Sequence, residues 1–156
     1  MPGDTDKTWP PDLLVTPHFA LAELALPEGR AARYQLPGSA YPAQWVETRA
    51  RPLCGAMEVI RAELGRRVGR EVPIKILSGY RTEEYNAAIK GAEHSQHVQG
   101  RAADIYAPGV SAQDLHALIL ELAPALPIGG LGEYPTFVHV DVRPLAPGAE
   151  LERWRG

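Results

Sequence analysis

The most informative stretch of this sequence is Ser95-Gln96-His97-Val98-Gln99-Gly100-Arg101-Ala102-Ala103-Asp104. It begins in a predicted loop and continues into a predicted strand at 101–106, which Pro108-Gly109 ends. His97 and Asp104 stand seven residues apart across this transition. An imidazole on the loop and a carboxylate on the strand can therefore converge on one ion.

A second informative stretch is Phe137-Val138-His139-Val140-Asp141-Val142, within the last predicted strand at 136–142. Strand side chains alternate between the two faces, so the three valines face a core while His139 and Asp141 share the other face. Two ionisable side chains on one face are costly to bury without partners. A metal ion would supply one.

The ligand set predicted from both stretches is His97, Asp104 and His139. Two imidazoles and one carboxylate, with a fourth position left to water, are typical of catalytic zinc. Zinc lowers the pKa of its bound water to about 7 and polarises a carbonyl group. The sequence therefore predicts one Zn²⁺ ion.

The remaining patterns predict an α+β domain with a small, mostly antiparallel sheet flanked by helices. Apolar residues at three-to-four spacing predict helices at 43–64, renewed near Pro52, and at 111–122 after a capping box. Further predicted elements are a short helix at 18–26, a strand at 72–79, a helix at 83–90 and a loop or short strand at 124–132. Seven of the 15 prolines lie in residues 1–45. We expect that segment to pack on a domain of residues 46–156.

Bulk properties exclude several classes of protein. The net charge is −3 and no Lys/Arg block stands alone, so no nucleic-acid partner is expected. Cys54 is the only cysteine, which excludes a disulfide framework, and it lies in an apolar helical run that predicts a buried packing role. No secretory signal and no apolar run of about 20 residues is evident, so no membrane span is predicted. The sequence does not specify an oligomeric state, and a monomer is the default.

The motif Ser95-x-His97-x-x-Gly100-x-Ala102-x-Asp104 resembles the signature of the M15 family of zinc peptidases, the D-Ala-D-Ala carboxypeptidase and peptidoglycan endopeptidase group. The runs 78–82 (Ser-Gly-Tyr-Arg-Thr) and 137–141 are similar to its peptidoglycan-trimming and prophage-borne branch. The resemblance implies a hedgehog/D-Ala-D-Ala-peptidase-like fold with the three ligands named above. It also implies that Arg81 lies near the substrate, where it would bind a peptide carboxylate or steady the oxyanion. A simple ion pair of Arg81 with Asp104 or with an acidic residue at a helix end is the alternative.

The position of the general base departs from better-known members of the family. They have a glutamate three residues before the last zinc histidine, or a histidine two before it, where this chain has Thr136 and Phe137. Asp141 is the predicted base, since it shares the face of His139 about 7 Å along the strand. Glu133 is the second candidate. An orienting or ion-pairing role for Asp141 is the alternative.

Other polar side chains near these motifs have expected places. Ser95 is expected to hydrogen-bond within its loop and, with Tyr134 and Arg81, to bind substrate. His94 is expected to line the cleft or to be exposed, and His116 to be an exposed helix residue.

The function implied is zinc-dependent hydrolysis of a peptide bond in bacterial cell-wall peptidoglycan, by a carboxypeptidase or an endopeptidase. The alternative is a non-catalytic zinc-containing module that binds wall peptides or a protein partner. Without an evident secretory signal, we expect synthesis in the cytoplasm and action on the wall after release, as for an endolysin-like protein of a phage or prophage.

Overall fold

The structure is a computed structural model that describes residues 13–24, 44–81 and 83–156, without the side chains of 83–85. Its helices are α1 (Arg51–Val68), α2 (Glu83–Ala88) and α3 (Ala112–Leu122). Its strands are β1 (Leu14–Thr16), β2 (Phe19–Ala20), β3 (Lys75–Ser78), β4 (Ala102–Tyr106), β5 (Gly130–Glu133), β6 (Val138–Asp141) and β7 (Glu152–Arg155). The α+β prediction is confirmed.

Within the described residues, five strands form the main sheet, in the order β3-β4-β6-β5-β7. All neighbours are antiparallel except β5 and β7, which are parallel. Asp104 lies directly opposite His139, and Ala102 lies opposite Asp141. Val138 and Val140 are buried in the hydrophobic core, as their alternation predicts. The sheet therefore buries one face in the core and presents the ionisable side chains on the other.

Helix α1 supplies much of the core, because its apolar residues recur on one side of the helix. Leu53, Met57, Ile60 and Leu64 are all buried. Pro52 lies in its first turn, where a missing N–H costs nothing, and a π-helical turn at Val46–Ala50 precedes it. Gly69 ends the helix in the left-handed conformation, at φ 86°.

Helix α3 begins at the predicted cap. The Ser111 hydroxyl accepts a hydrogen bond of 3.0 Å from the backbone N–H of Asp114. Leu115, Leu118 and Ile119 are buried against the sheet and α1. None of the helices in the described part of the chain is long and apolar enough to cross a bilayer.

The predicted helix at 18–26 is wrong for the part that the structure describes. Residues 13–24 form the β1–β2 pair and a 3-10 turn at Leu21–Leu24, and 25–26 lie outside the described residues. His18 fixes this pair to α1, because its backbone N–H and its Nδ1 each lie 2.7 Å from the Glu58 carboxylate. Val15 and Phe19 enter the core. Residues 1–12 and 25–43 are not described, so a boundary at residue 45 stays a prediction.

The end of the chain contains two further strands of the main sheet. The sequence predicts a loop or short strand at 124–132, and the structure places the short strand β5 at Gly130–Glu133. Strand β7 was not predicted. Glycine is depleted in strands, and the Glu-Arg-Trp-Arg sequence of β7 lacks an apolar alternation.

The Cys54 thiol provides a test of the core. Cys54 is fully buried. Burial raises the pKa of its thiol to about 12, and the nearby carboxylates of Glu23 and Glu58 contribute to the rise. Because the thiolate is the reactive form, we expect no labelling by a disulfide reagent at pH 8 in the native protein and one equivalent after unfolding in guanidinium. Rapid native labelling, followed by absorbance, would contradict this packing.

Candidate metal centre

Three side chains converge on the face of the sheet opposite the hydrophobic core. His97 comes from the loop before β4, Asp104 from β4 and His139 from the opposite position on β6. His97 Nε2 lies 3.1 Å from Asp104 Oδ1, and His139 Nδ1 lies 3.2 Å from the same oxygen. One ligand atom from each residue lies within 4.8 Å of the other two, and all three residues are buried. The structure thus brings the three predicted ligands together.

The far nitrogen of each imidazole fixes which nitrogen faces the centre. His97 Nδ1 lies 2.7 Å from the Gly79 carbonyl oxygen, which can only accept a hydrogen bond. His139 Nε2 lies 2.7 Å from Asp141 Oδ2. When a neutral ring carries its hydrogen on the far nitrogen and donates it to these acceptors, the near nitrogen directs its lone pair at Asp104.

The centre formed in this way needs positive charge. Two imidazole lone pairs and a carboxylate oxygen face one another at 3.1 and 3.2 Å with no intrinsic hydrogen between them. A metal ion satisfies all three at once. Two nitrogens and one oxygen, with both far nitrogens hydrogen-bonded, are the donor set and outer contacts that zinc uses. The residues present therefore fit a zinc ion.

The titration of these groups follows from the same crowding. Burial opposes the charge of Asp104, but the hydrogen bonds that His139 and His97 donate when their rings are protonated hold the pKa of its carboxyl well below the usual range. Burial likewise opposes charging of His139, yet its hydrogen bonds to Asp104 and Asp141 leave the pKa of the imidazole raised. The charged forms of Asp104 and His139 are thus both favoured although both side chains are buried.

The Asp141 side chain is more enclosed than we expect of a general base, the role that the sequence predicts for it. Its side chain has no solvent exposure. Oδ2 accepts from His139 Nε2 and from Arg143 Nη2, each at 2.7 Å. Oδ1 accepts from Arg143 Nε at 2.8 Å and from the backbone N–H of Arg143 at 3.0 Å. Burial opposes its charge, but the bonds to Arg143 and His139 hold the pKa of the Asp141 carboxyl well below the usual range. These contacts count against proton uptake by Asp141 and favour the orienting alternative.

The structure does not bring Glu133, the second candidate base, to the cluster. On β5 it lies opposite Val138, and its carboxylate contacts His116 of α3 at 3.9 Å and Arg155 at 3.2 Å. It therefore points to the helix side of the sheet, away from His139. His116, predicted to be exposed, is buried there, and burial lowers the pKa of its imidazole.

Arg81 lies beside the ligands. Its Nη2 is 3.4 Å from Asp104 Oδ2, its Nη1 is 3.2 Å from Asn86 Oδ1 and its Nε is 3.3 Å from the Ser78 hydroxyl. The ion pair with Asp104 that the sequence left as the alternative is therefore present. These contacts engage three of the five guanidinium N–H groups.

Ser95 and Tyr134 border the same region. The Ser95 hydroxyl accepts from the backbone N–H of His97 at 3.2 Å, which confirms the predicted bond within the loop. The Tyr134 ring stacks on Phe137 with centroids 4.5 Å apart, and its hydroxyl accepts from Trp154 Nε1 at 2.9 Å. A contact of either residue with substrate stays a prediction.

Sequence reasoning did not find the side chains that support the ligands from outside. Arg143 grips Asp141, and Trp154 lies against the His139 ring with centroids 4.9 Å apart. Arg143 was detectable, because it continues the alternation of His139 and Asp141 by two more residues. Trp154 was not, since its strand was not predicted.

The comparisons with known proteins agree with this geometry. The family model for Peptidase M15 matches residues 17–141, which include His97, Asp104 and His139. A search of curated proteins finds no match to the sequence. Because the family match covers well over half of the 156 residues, the chain belongs to the M15 peptidase family.

Proposed function

We propose that this protein hydrolyses a peptide bond in bacterial cell-wall peptidoglycan and uses one zinc ion to do so. The observation that supports this most directly is the buried centre of His97, Asp104 and His139 in a chain of this peptidase family. The peptidoglycan substrate follows from the motif resemblance. We infer that the protein reaches its substrate after release from the cytoplasm, as an endolysin-like carboxypeptidase or endopeptidase.

The three ligands would hold the ion through His97 Nε2, Asp104 Oδ1 and His139 Nδ1. A bound zinc ion supplies a Lewis acid for the scissile carbonyl and lowers the pKa of a water molecule. Arg81 holds the other oxygen of Asp104, at 3.4 Å, which leaves Oδ1 directed at the two histidines. Its two further N–H groups would bind a peptide carboxylate or the developing oxyanion.

Asp141 is proposed to orient His139 rather than to accept a proton from water. It fixes the hydrogen of His139 on Nε2, and Arg143 fixes Asp141 from the other side. A carboxylate in this position makes the ligand imidazole more basic and holds its ring in place. Neither Asp141 nor Glu133 presents an open carboxylate to the centre. This favours, as a second candidate, a zinc-containing module that binds wall peptides or a protein partner without cleaving.

Removing a ligand tests the metal site. His97→Ala is expected to reduce bound zinc from about one equivalent to none after dialysis, because two ligands hold a catalytic zinc too weakly. Elemental analysis measures the metal, and the thermal midpoint verifies that the chain is folded. His94→Ala is the matched control, since His94 is exposed. Unchanged zinc content in His97→Ala would refute the assigned ligand.

Asp141→Asn distinguishes orientation from proton transfer. An orienting residue predicts zinc affinity about 10- to 100-fold weaker, with most activity restored at saturating zinc. A general base predicts that a rate loss of about 10²- to 10⁴-fold persists at saturating zinc. Glu133→Gln, on the opposite face of the sheet, is expected to change neither quantity. Activity is measured as a function of free zinc.

Peptidoglycan digestion tests the function itself. We expect purified peptidoglycan to release soluble products, a metal chelator to stop the release, and added zinc to restore it. Mass spectrometry of the products separates loss of a terminal residue from cleavage of a cross-link. Full activity after complete metal removal would exclude the zinc mechanism. Binding to the wall without any product would favour the non-catalytic module.

A further inference from the structure

A row of paired residues crosses four strands of the sheet. Asp104 pairs with His139, His139 pairs with Gly132, and Gly132 pairs with Trp154 on β7. Directly paired residues of a sheet point to the same face. Trp154 therefore lies on the face of the metal ligands, two strands away from His139.

The glycine in this row creates the space that the indole fills. Neighbouring strands lie about 4.8 Å apart, so the backbones of Trp154 and His139 are separated by about 10 Å. The indole spans this gap over Gly132 and reaches the His139 ring, with centroids 4.9 Å apart and planes at 57°. A Cβ at position 132 would lie 2.5 Å from Trp154 Nε1. The contact thus requires glycine there.

Further contacts fix the indole. Its Nε1 donates to the Tyr134 hydroxyl at 2.9 Å, and the guanidinium carbon of Arg143 lies over the ring, 5.2 Å from its centroid. The same guanidinium binds Asp141, which binds His139. Trp154, Arg143, Asp141 and His139 therefore form a closed ring of contacts, and the His139 side chain is only 8% exposed within it.

Part of this ring lies outside the family match, which ends at residue 141. Arg143 and Trp154 follow that residue, so the support comes from a segment that the family model does not include. We propose that Trp154, presented by β7, is a positioning residue for His139 and that it sets the affinity of the zinc site. This rests on the proposed function, because it assumes that zinc is the ion bound.

The physical basis is restriction of one imidazole. Asp141 holds Nε2 of His139 through a hydrogen bond, and Nδ1 faces Asp104. Both contacts lie in the ring plane, so rotation of the ring out of that plane is opposed by packing. The indole covers the ring at an angle and shields the bond to Asp141 from water. Removal of the indole would let the imidazole tilt and would hydrate Asp141, which weakens a ligand that depends on both.

Three substitutions test this assignment in the full chain. Trp154→Ala removes the indole, Trp154→Phe keeps an aromatic ring, and Gly132→Ala displaces the indole without removing it. Arg153→Ala is the matched control, because Arg153 is an exposed neighbour on the same strand. The readouts are the zinc dissociation constant from competition with a chromophoric chelator, the visible spectrum of the Co²⁺-substituted protein, and the thermal midpoint of the zinc-free protein.

We expect Trp154→Ala and Gly132→Ala to weaken zinc binding at least about tenfold and to alter the Co²⁺ spectrum, and Trp154→Phe to restore most of the affinity. Arg153→Ala should match the unsubstituted chain. Wild-type zinc affinity in folded Trp154→Ala or Gly132→Ala overturns the positioning role and leaves the proposed function intact. A fall in the thermal midpoint of these two variants without a change in zinc affinity or Co²⁺ spectrum likewise overturns it, since such a result shows a packing role alone. If the unsubstituted chain binds no zinc, the proposed function itself fails.

Discussion

The structure depends on one buried point at which three acceptor atoms meet. His97 Nε2 and His139 Nδ1 both approach Asp104 Oδ1 within hydrogen-bonding distance, although the far nitrogens of both imidazoles contact other acceptors. Such a point is unfavourable unless a cation or added protons occupy it. The core on the other side of the sheet, with Val138 and Val140, holds the strands in the register that creates this repulsion. Burial of the apolar face thus stabilises the strand register that brings the metal ligands together on the polar face.

Strand β5 makes room for the side chains that support the site. Its site face contains two glycines, at positions where a Cβ would collide with other groups. At Gly130 the Cβ would lie 2.2 Å from Asp141 Oδ2, and at Gly132 it would lie 2.5 Å from Trp154 Nε1. The intervening Leu131 is fully buried in the core. One face of β5 therefore packs in the core, and its other face has no side chains at these two positions. Asp141 and Trp154 can lie across that face.

Much of the site could be predicted because alternation in β6 and a loop-to-strand transition before β4 are local patterns. The capped start of α3 and the stripe of α1 were predictable for the same reason. The surroundings were not, because they depend on strand order. No local pattern shows that Glu133 points to His116 rather than to the ligands, or that the chain returns as β7 to pair in parallel with β5. The prediction of a helix at 18–26 is wrong because His18 bonds to Glu58, 40 residues away, and only the tertiary fold reveals that contact.

The charges around the centre favour the proposed peptide substrates. Two arginines balance the two carboxylates at the centre. Arg81 pairs with the ligand Asp104, and Arg143 pairs with Asp141. These four side chains sum to no net charge, so a divalent ion would leave the region positive in a chain whose net charge is −3. A site of that kind attracts a peptide carboxylate and stabilises the negative charge that develops on a carbonyl oxygen under attack. The proposed hydrolysis of wall peptides therefore agrees with the electrostatics of the site as well as with its ligands, while the general base, for which the sequence suggests Asp141 or Glu133, stays a prediction.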